Sequence, residues 1–181
     1  MNSPNKLGRT HSILHAWNGT PLTNSEHISV SLVRAGDSIR ITVEAPWHGD
    51  PPPPGPAGPL DGLWHHEVVE VFIAGPEAHY LEIELGPHGH HLVLQLEGVR
   101  NAVARTLPMH YTVSRRGTRW RGEAVLPWNL LPRGPHRMNA HAIHGPPNNR
   151  QHASLHPGPG DTPDFHLLER MAPLHWEITE D

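Results

Sequence analysis

Short alternating runs dominate the chain. Ile28, Val30 and Leu32 alternate with Ser29 and Ser31, the pattern of a half-buried strand. After a turn signal at Gly36-Asp37, Ile39, Ile41 and Val43 alternate with polar residues, so the two runs predict a hairpin. Further strands are predicted over 67–73, 80–85, 91–96, 111–114, 120–126, 139–144 and 174–178. Gly, Pro and Asn punctuate them. The run 127–132 lies between prolines and has room for one helical turn. Residues 165–170 read equally as a short helix or an irregular segment. About eight or nine strands at regular spacing, with no long helix, predict an all-β protein: an antiparallel, jelly-roll-like β-sandwich.

Side chains alternate across a strand, so each run has faces to assign. Leu81, Ile83 and Leu85 face the core, which projects Tyr80, Glu82 and Glu84 from the other side. Val69, Val71 and Ile73 make the core set of the preceding strand and leave Glu70 and Phe72 outside with them. In 91–96 the leucines are expected inward, with His91, Val93 and Gln95 outward. In 139–144, His141 and Ile143 are expected inward and His144 outward with Ala142. Glu70, Glu82, Glu84 and His91 would then share one sheet surface, close to Trp64. Carboxylates accept hydrogen bonds from hydroxyl groups in fixed directions, and an aromatic ring covers the C–H face of a sugar. The opposing possibility is that these carboxylates pair with Arg34, Arg40 or Arg100 on a solvated sheet.

Composition narrows the class. The chain has 181 residues, which suits one domain, here 1–181. Its 17 glycines and 21 prolines leave little room for helices. Four of the prolines are consecutive, Pro51 to Pro54, within a long Pro-rich loop over 46–62. The polar residues 1–10 are expected to be flexible. They contain no apolar run of the kind a secretion signal needs, and the cytoplasm is the expected compartment. No stretch is apolar enough for a membrane helix. The net charge is −4 with neutral histidines and there is no basic run, so neither nucleic acid nor an anionic membrane is an expected partner. There is no cysteine, which excludes disulfides and thiolate metal sites. Oligomeric state is not encoded in any pattern.

The 18 histidines raise a second possibility. His88, His91, His144 and Glu84 have the ligand chemistry for a divalent metal, although their spacing matches no regular motif. A metal-dependent, glycoside-acting enzyme is therefore the alternative to a binding domain. The pairs Glu67/Glu70 and Glu82/Glu84 would be its acid and base. The chain has no Gly-x-Ser-x-Gly elbow, phosphate-binding Gly loop or His-Glu-x-x-His motif. No catalytic residue is assigned.

Several ordered motifs carry a family resemblance. They are Ala45-Pro46-Trp47-His48, Asp50-Pro51-Pro52-Pro53, the run from Gly62 through Trp64, Glu67 and Glu70 to Ile73, and Tyr80 through Glu82 and Glu84 to Gly89. Leu126-Pro127-Trp128, the run from Asn139 to Gly145, and Pro163-Asp164-Phe165-His166 follow. Over about residues 22–174 they resemble an uncharacterised family with a DOMON-like fold, related to the family 9 carbohydrate-binding module. The resemblance implies a β-sandwich with a cleft on one sheet. It also implies contacts to a carbohydrate or other polyhydroxylated molecule from Trp64 and Glu70, with no catalysis. The second stacking Trp of such modules has no secure counterpart; Trp128 and Trp176 are the candidates. Other DOMON-like domains bind haem through Met or His, for which Met109, Met138 and Met171 are available. The expected ligand-binding set is Trp64, Glu70, Glu82, Glu84, His91 and His144, with a divalent metal as the cofactor to consider.

Overall fold

The computed structural model describes residues 9–179. Fourteen strands follow in order: β1 (Arg9–Ile13), β2 (His15–Ala16), β3 (Ile28–Ala35), β4 (Ser38–Pro46), β5 (Val68–Ala74), β6 (His79–Leu85), β7 (His91–Glu97), β8 (Ala102–Ala104), β9 (His110–Arg116), β10 (Arg119–Pro127), β11 (Arg137–His144), β12 (Gln151–Ser154), β13 (Ala172–Pro173) and β14 (Glu177–Thr179). Among the described residues, helical structure is limited to four three-residue 3-10 turns. None is long and apolar enough to cross a membrane.

The strands form two sheets. The first has the order β1-β3-β4-β10-β9, with β14 added parallel to β3. The second has the order β2-β12-β11-β5-β6-β7-β8, with β13 beside β11. All pairings except β14 with β3 are antiparallel. This is the expected sandwich. The expected hairpins form, with Ala35 opposite Ser38 and Arg116 opposite Arg119. The run 127–132 holds one turn, Trp128–Leu130.

Between the sheets lies an aliphatic core. Val30, Leu32, Ile39, Ile41 and Val43 of the first sheet meet Val69, Val71, Ile73, Leu81, Ile83 and Leu85 of the second. A second apolar cluster lies on the outer face of the second sheet. Phe72, Tyr80, Leu92, Leu94 and Leu96 project there. Trp17, Leu63, Phe165 and Met171, from segments between strands, cover them. The architecture is thus sheet, sheet and a layer of loops. The central strands β5 and β6 are buried on both faces, which is why 68–74 is apolar except at Glu70.

Some expectations need correction. Arg9 and Thr10 are paired with Leu32 and Ser31 in β1 rather than free; residues 1–8 lie outside the described residues. The single strand over 174–178 is instead two short strands, β13 and β14, flanking buried Leu174. In β7 the faces are reversed. His91 is opposite Leu85 and Val93 opposite Ile83, so His91, Val93 and Gln95 point toward the first sheet and the leucines point out. In β11 the faces are also reversed. Ala140 and Ala142 are in the inner core, so His141 and Ile143 project outward and His144 does not. The loop over 46–62 is docked: Leu60 donates to the His91 carbonyl and His91 to that of Gly58, which covers part of the β7 edge.

Candidate functional site

The antiparallel register lays out the outer face in rows. Ser154, His141, Glu70, Glu84 and Leu92 are successive neighbours across β12, β11, β5, β6 and β7. The next row is Asn139, Phe72, Glu82 and Leu94. Directly opposed Cβ atoms lie about 4.5–5.5 Å apart, so Glu70 and Glu84 stand side by side with Glu82 one row away. The expected convergence of these three carboxyl groups is present. They are not on a solvated surface: Glu70, Glu82 and Glu84 are 2%, 5% and 0% exposed.

Above them is a pocket of about 400 Å³. Glu70 and Glu82 form its polar floor, and Leu94, Leu96 and Ile143 its apolar floor. Trp64, His152, Phe165 and His166 supply rings, and Arg100 and Arg105 are also in the lining. Trp64 is presented by a 3-10 turn, Leu63–His65. Gly62 precedes that turn at φ 85°, a left-handed conformation that glycine adopts without strain. Arg150 fastens the turn by donating to the carbonyls of Trp64 and His66. It also binds the Gly145 carbonyl and lies 3.9 Å from Asp50.

The carboxyl groups lack partners. One Glu70 oxygen and both Glu84 oxygens are buried without a hydrogen bond. Burial pushes Glu70 well above the usual carboxylate range. Glu82 adds to this, and Arg150 opposes it. Glu84 is pushed up to about 11 by burial, then by Glu70, Glu82 and Asp61. The Trp64 main-chain amide lies close enough to oppose this weakly, without making a hydrogen bond to either oxygen. Glu82 is raised to about 7 by burial, moderated by Arg100 and Arg105. Glu84 therefore holds its proton at neutral pH, Glu70 is shifted in the same direction, and Glu82 is poised to lose its own. None is tied to an arginine: Arg100 binds Asp164 at 2.7 Å and Arg105 binds Asp61 at 2.8 Å. Arg34 instead lies over Trp128.

Two histidines beside the carboxyl groups, His141 next to Glu70 and His166 in the pocket lining, are kept neutral. His141 is driven well below its usual pKa by burial, with His166 and His156 adding to the effect. Its Nδ1 bonds Ser154 Oγ at 2.9 Å, its ring stacks on Phe165 at 3.9 Å, and its Nε2 has no partner. His166 is lowered to about 4, first by burial and then by Arg100. The Arg100 N–H donates to the Tyr80 hydroxyl (2.9 Å), which bonds His166 Nδ1 (2.7 Å). This chain assigns the imidazole proton to Nε2, 3.9 Å from Glu82 Oε2. With neutral His166, that approach is not an ion pair.

The other expected site residues lie elsewhere. His91 bonds the Gly89 carbonyl and packs edge-on against Tyr111 of β9. His144 stacks on His48 at 3.4 Å and is lowered to about 4 by burial. His88 packs on Trp47 and bonds the Asp50 carbonyl. Glu84 is on the opposite face of the sheet from His91, so the proposed metal set does not converge. Among the described residues no three His, Asp or Glu side chains are arranged to hold a metal ion. Glu67 accepts the N–H groups of His48 and Asp50 and anchors the Pro-rich loop. Trp128 and Trp176 pack on each other with His136, outside the pocket lining. The second large ring of the pocket is Phe165. Met138 belongs to the inner core, Met171 to the outer cluster, and Met109 packs against the inner one, so the three are dispersed.

Sequence comparison settles the family. The chain is 41% identical over 171 residues to the UPF0462 protein C4orf33 homolog of Mus musculus, covering 90% of this chain and 88% of that protein. It belongs to the UPF0462 family. The Danio rerio and Homo sapiens members are each 40% identical over 166 residues. These alignments cover 87% of this chain and 84% and 83% of those proteins. No family model matches the chain. Among solved structures, the UPF0462 chain resembles a candidate carbohydrate-binding protein from Bacteroides uniformis. The TM-score is 0.71 at 12% identity, over 98% of this chain and 88% of that one. It also resembles a family 9 carbohydrate-binding module from Caldicellulosiruptor kristjanssonii solved with glucose. There the TM-score is 0.59 at 9% identity, over 100% of this chain and 90% of that one. At such identities the likeness establishes a shared β-sandwich fold.

Proposed function

We propose that this UPF0462 protein is a non-catalytic binding domain whose outer-sheet pocket takes a single sugar ring or a similarly sized polyhydroxylated molecule. The observation that carries the reading is the pairing of ring-lined walls with buried carboxyl groups that lack protein partners. A buried polar group without a hydrogen bond is costly, and ligand hydroxyls would relieve that cost. The pocket's volume of about 400 Å³ lies within the range of small-molecule sites. The solved structures of similar fold include a glucose complex, which supports the ligand class. Binding without turnover accords with the carboxyl geometry. Both lining glutamates rise from the same sheet, whereas glycoside hydrolysis requires carboxyl groups on two sides of the scissile bond.

Isothermal titration against a panel of mono- and oligosaccharides tests the proposal. A hit should weaken by about tenfold or more in Trp64→Ala and in Glu70→Gln, the loss expected for one stacking ring or one buried hydrogen bond. Unchanged affinity in both variants would remove this pocket from consideration.

A further inference from the structure

We infer that the pocket selects a sugar carrying a protonated amine, an aminohexose, over its neutral parent. This rests on the sugar-binding reading above and adds a charge to the ligand. The first support is the distribution of charge around the cavity. Each nearby arginine already has an aspartate: Arg100 with Asp164, Arg105 with Asp61, and Arg150 with Asp50. Arg150 is further engaged with main-chain carbonyls. Among the described residues, that leaves Glu70, Glu82 and Glu84 without a dedicated cation.

The second support is the orphaned oxygen of Glu70, a 2% exposed side chain in the pocket lining. An ammonium group brings three N–H donors and a positive charge to one point. Glu70 and Glu82 can both receive it, while Glu84, behind Glu70 on the next strand, does not line the cavity. The aromatic faces of Trp64 and Phe165 also favour a cation over a neutral hydroxyl. A bare metal ion is a poor match, since no three acidic or imidazole side chains among the described residues converge on one point. An organic ammonium needs no such convergence, because its C–H surface can rest on the apolar lining.

The third support is proton bookkeeping. Burial raises Glu70 and Glu84 and so favours their protonated forms, and no histidine supplies a countercharge. His141, His152 and His166 are all lowered by burial. Tyr80, facing Glu82, is raised. The ammonium keeps its own proton and stabilises a carboxylate in front of it. Ligand binding is therefore accompanied by net release of carboxyl proton to solvent.

The experiment compares D-glucosamine, D-glucose and N-acetyl-D-glucosamine by titration calorimetry on the full chain. Glucosamine should bind about tenfold or more tightly than either uncharged sugar. Its observed enthalpy should vary with buffer ionisation enthalpy in the sense of proton release. Glu82→Gln should bring the ratio of glucosamine to glucose affinity down toward one. Equal affinity for glucosamine and glucose, or no proton release, would overturn the charge selection and leave the sugar reading standing. No heat with any sugar of either class removes both. The proton count is read on the wild type, so the inference stays testable if the variant does not fold.

Discussion

Replacing Glu84 by Gln should stabilise the protein, and by an amount that grows with pH. Glu84 is fully buried, both its oxygens lack partners, and its pKa is raised from 4.5 to about 11. The folded protein therefore binds a proton at Glu84 that the unfolded chain gives up above its ordinary carboxylate pKa. A raised carboxyl pKa contributes stability that is fully present below the unfolded value and is lost as pH rises toward the folded one. Each pH unit in that window costs about 1.4 kcal/mol. At neutral pH the penalty relative to pH 4.5 is on the order of 3 kcal/mol. Gln keeps the shape and the polar burial but has no proton to take up, so it removes this pH-dependent part alone.

The window must avoid the histidines. His141, His144 and His166 are lowered in the folded state, so they make stability rise with pH up to their unfolded value near 6.5. Between about pH 7 and pH 8.5 they are neutral in both states, and the gap between Glu84→Gln and wild type should widen by about 2 kcal/mol. Urea denaturation at several pH values, followed by Trp fluorescence, measures it. Parallel stability curves across that range would refute the reasoning, since they would mean that Glu84 ionises in the folded state as freely as in the unfolded one.

Two further substitutions address the loop layer. Arg150→Met should destabilise by about 2 kcal/mol, because the carbonyls of Trp64, His66 and Gly145 lose their shared donor. The same urea midpoints measure this, and an unchanged midpoint would show that the Trp64 turn is held by other contacts. Gly158→Ala would place a methyl group against the Trp17 ring, with Leu167 Cδ1 3.1 Å away. An overpacking cost of about 1–3 kcal/mol should lower the thermal midpoint, and an unaltered midpoint would mean that this segment yields freely.

The sequence was most readable where one face of a strand meets water. Alternation in 28–32 and 39–45 defined β3 and β4, and the turn at Gly36 placed their hairpin. In β5 and β6 the carboxylates interrupt apolar runs, so even doubly buried strands could be oriented, and Glu70, Glu82 and Glu84 were assigned together. β7 offered no such marker. Leu92, Leu94 and Leu96 are as apolar as a core set should be, but they serve the outer cluster, while the inner position falls to Val93 between His91 and Gln95. With two apolar surroundings, alternation carries no sign. The same ambiguity exchanged His141 with His144. Phe165, His166 and Arg150 were out of reach for another reason. They sit in segments whose path depends on long-range contacts, such as Tyr80 with His166 across 86 positions. The Pro163-Asp164-Phe165-His166 motif was visible, but nothing local indicated that it lies over the sheet.

The loop layer gives the two sheets unequal freedom to change. A residue of β5 or β6 has neighbours whichever way it points, so neither parity tolerates casual drift. β9 presents alternate positions to solvent and can accept substitutions there at little cost. Mutational robustness should therefore concentrate in the first sheet. Novelty in what the molecule recognises would enter through the covering segments, whose irregular backbone can be rebuilt without disturbing a single strand register.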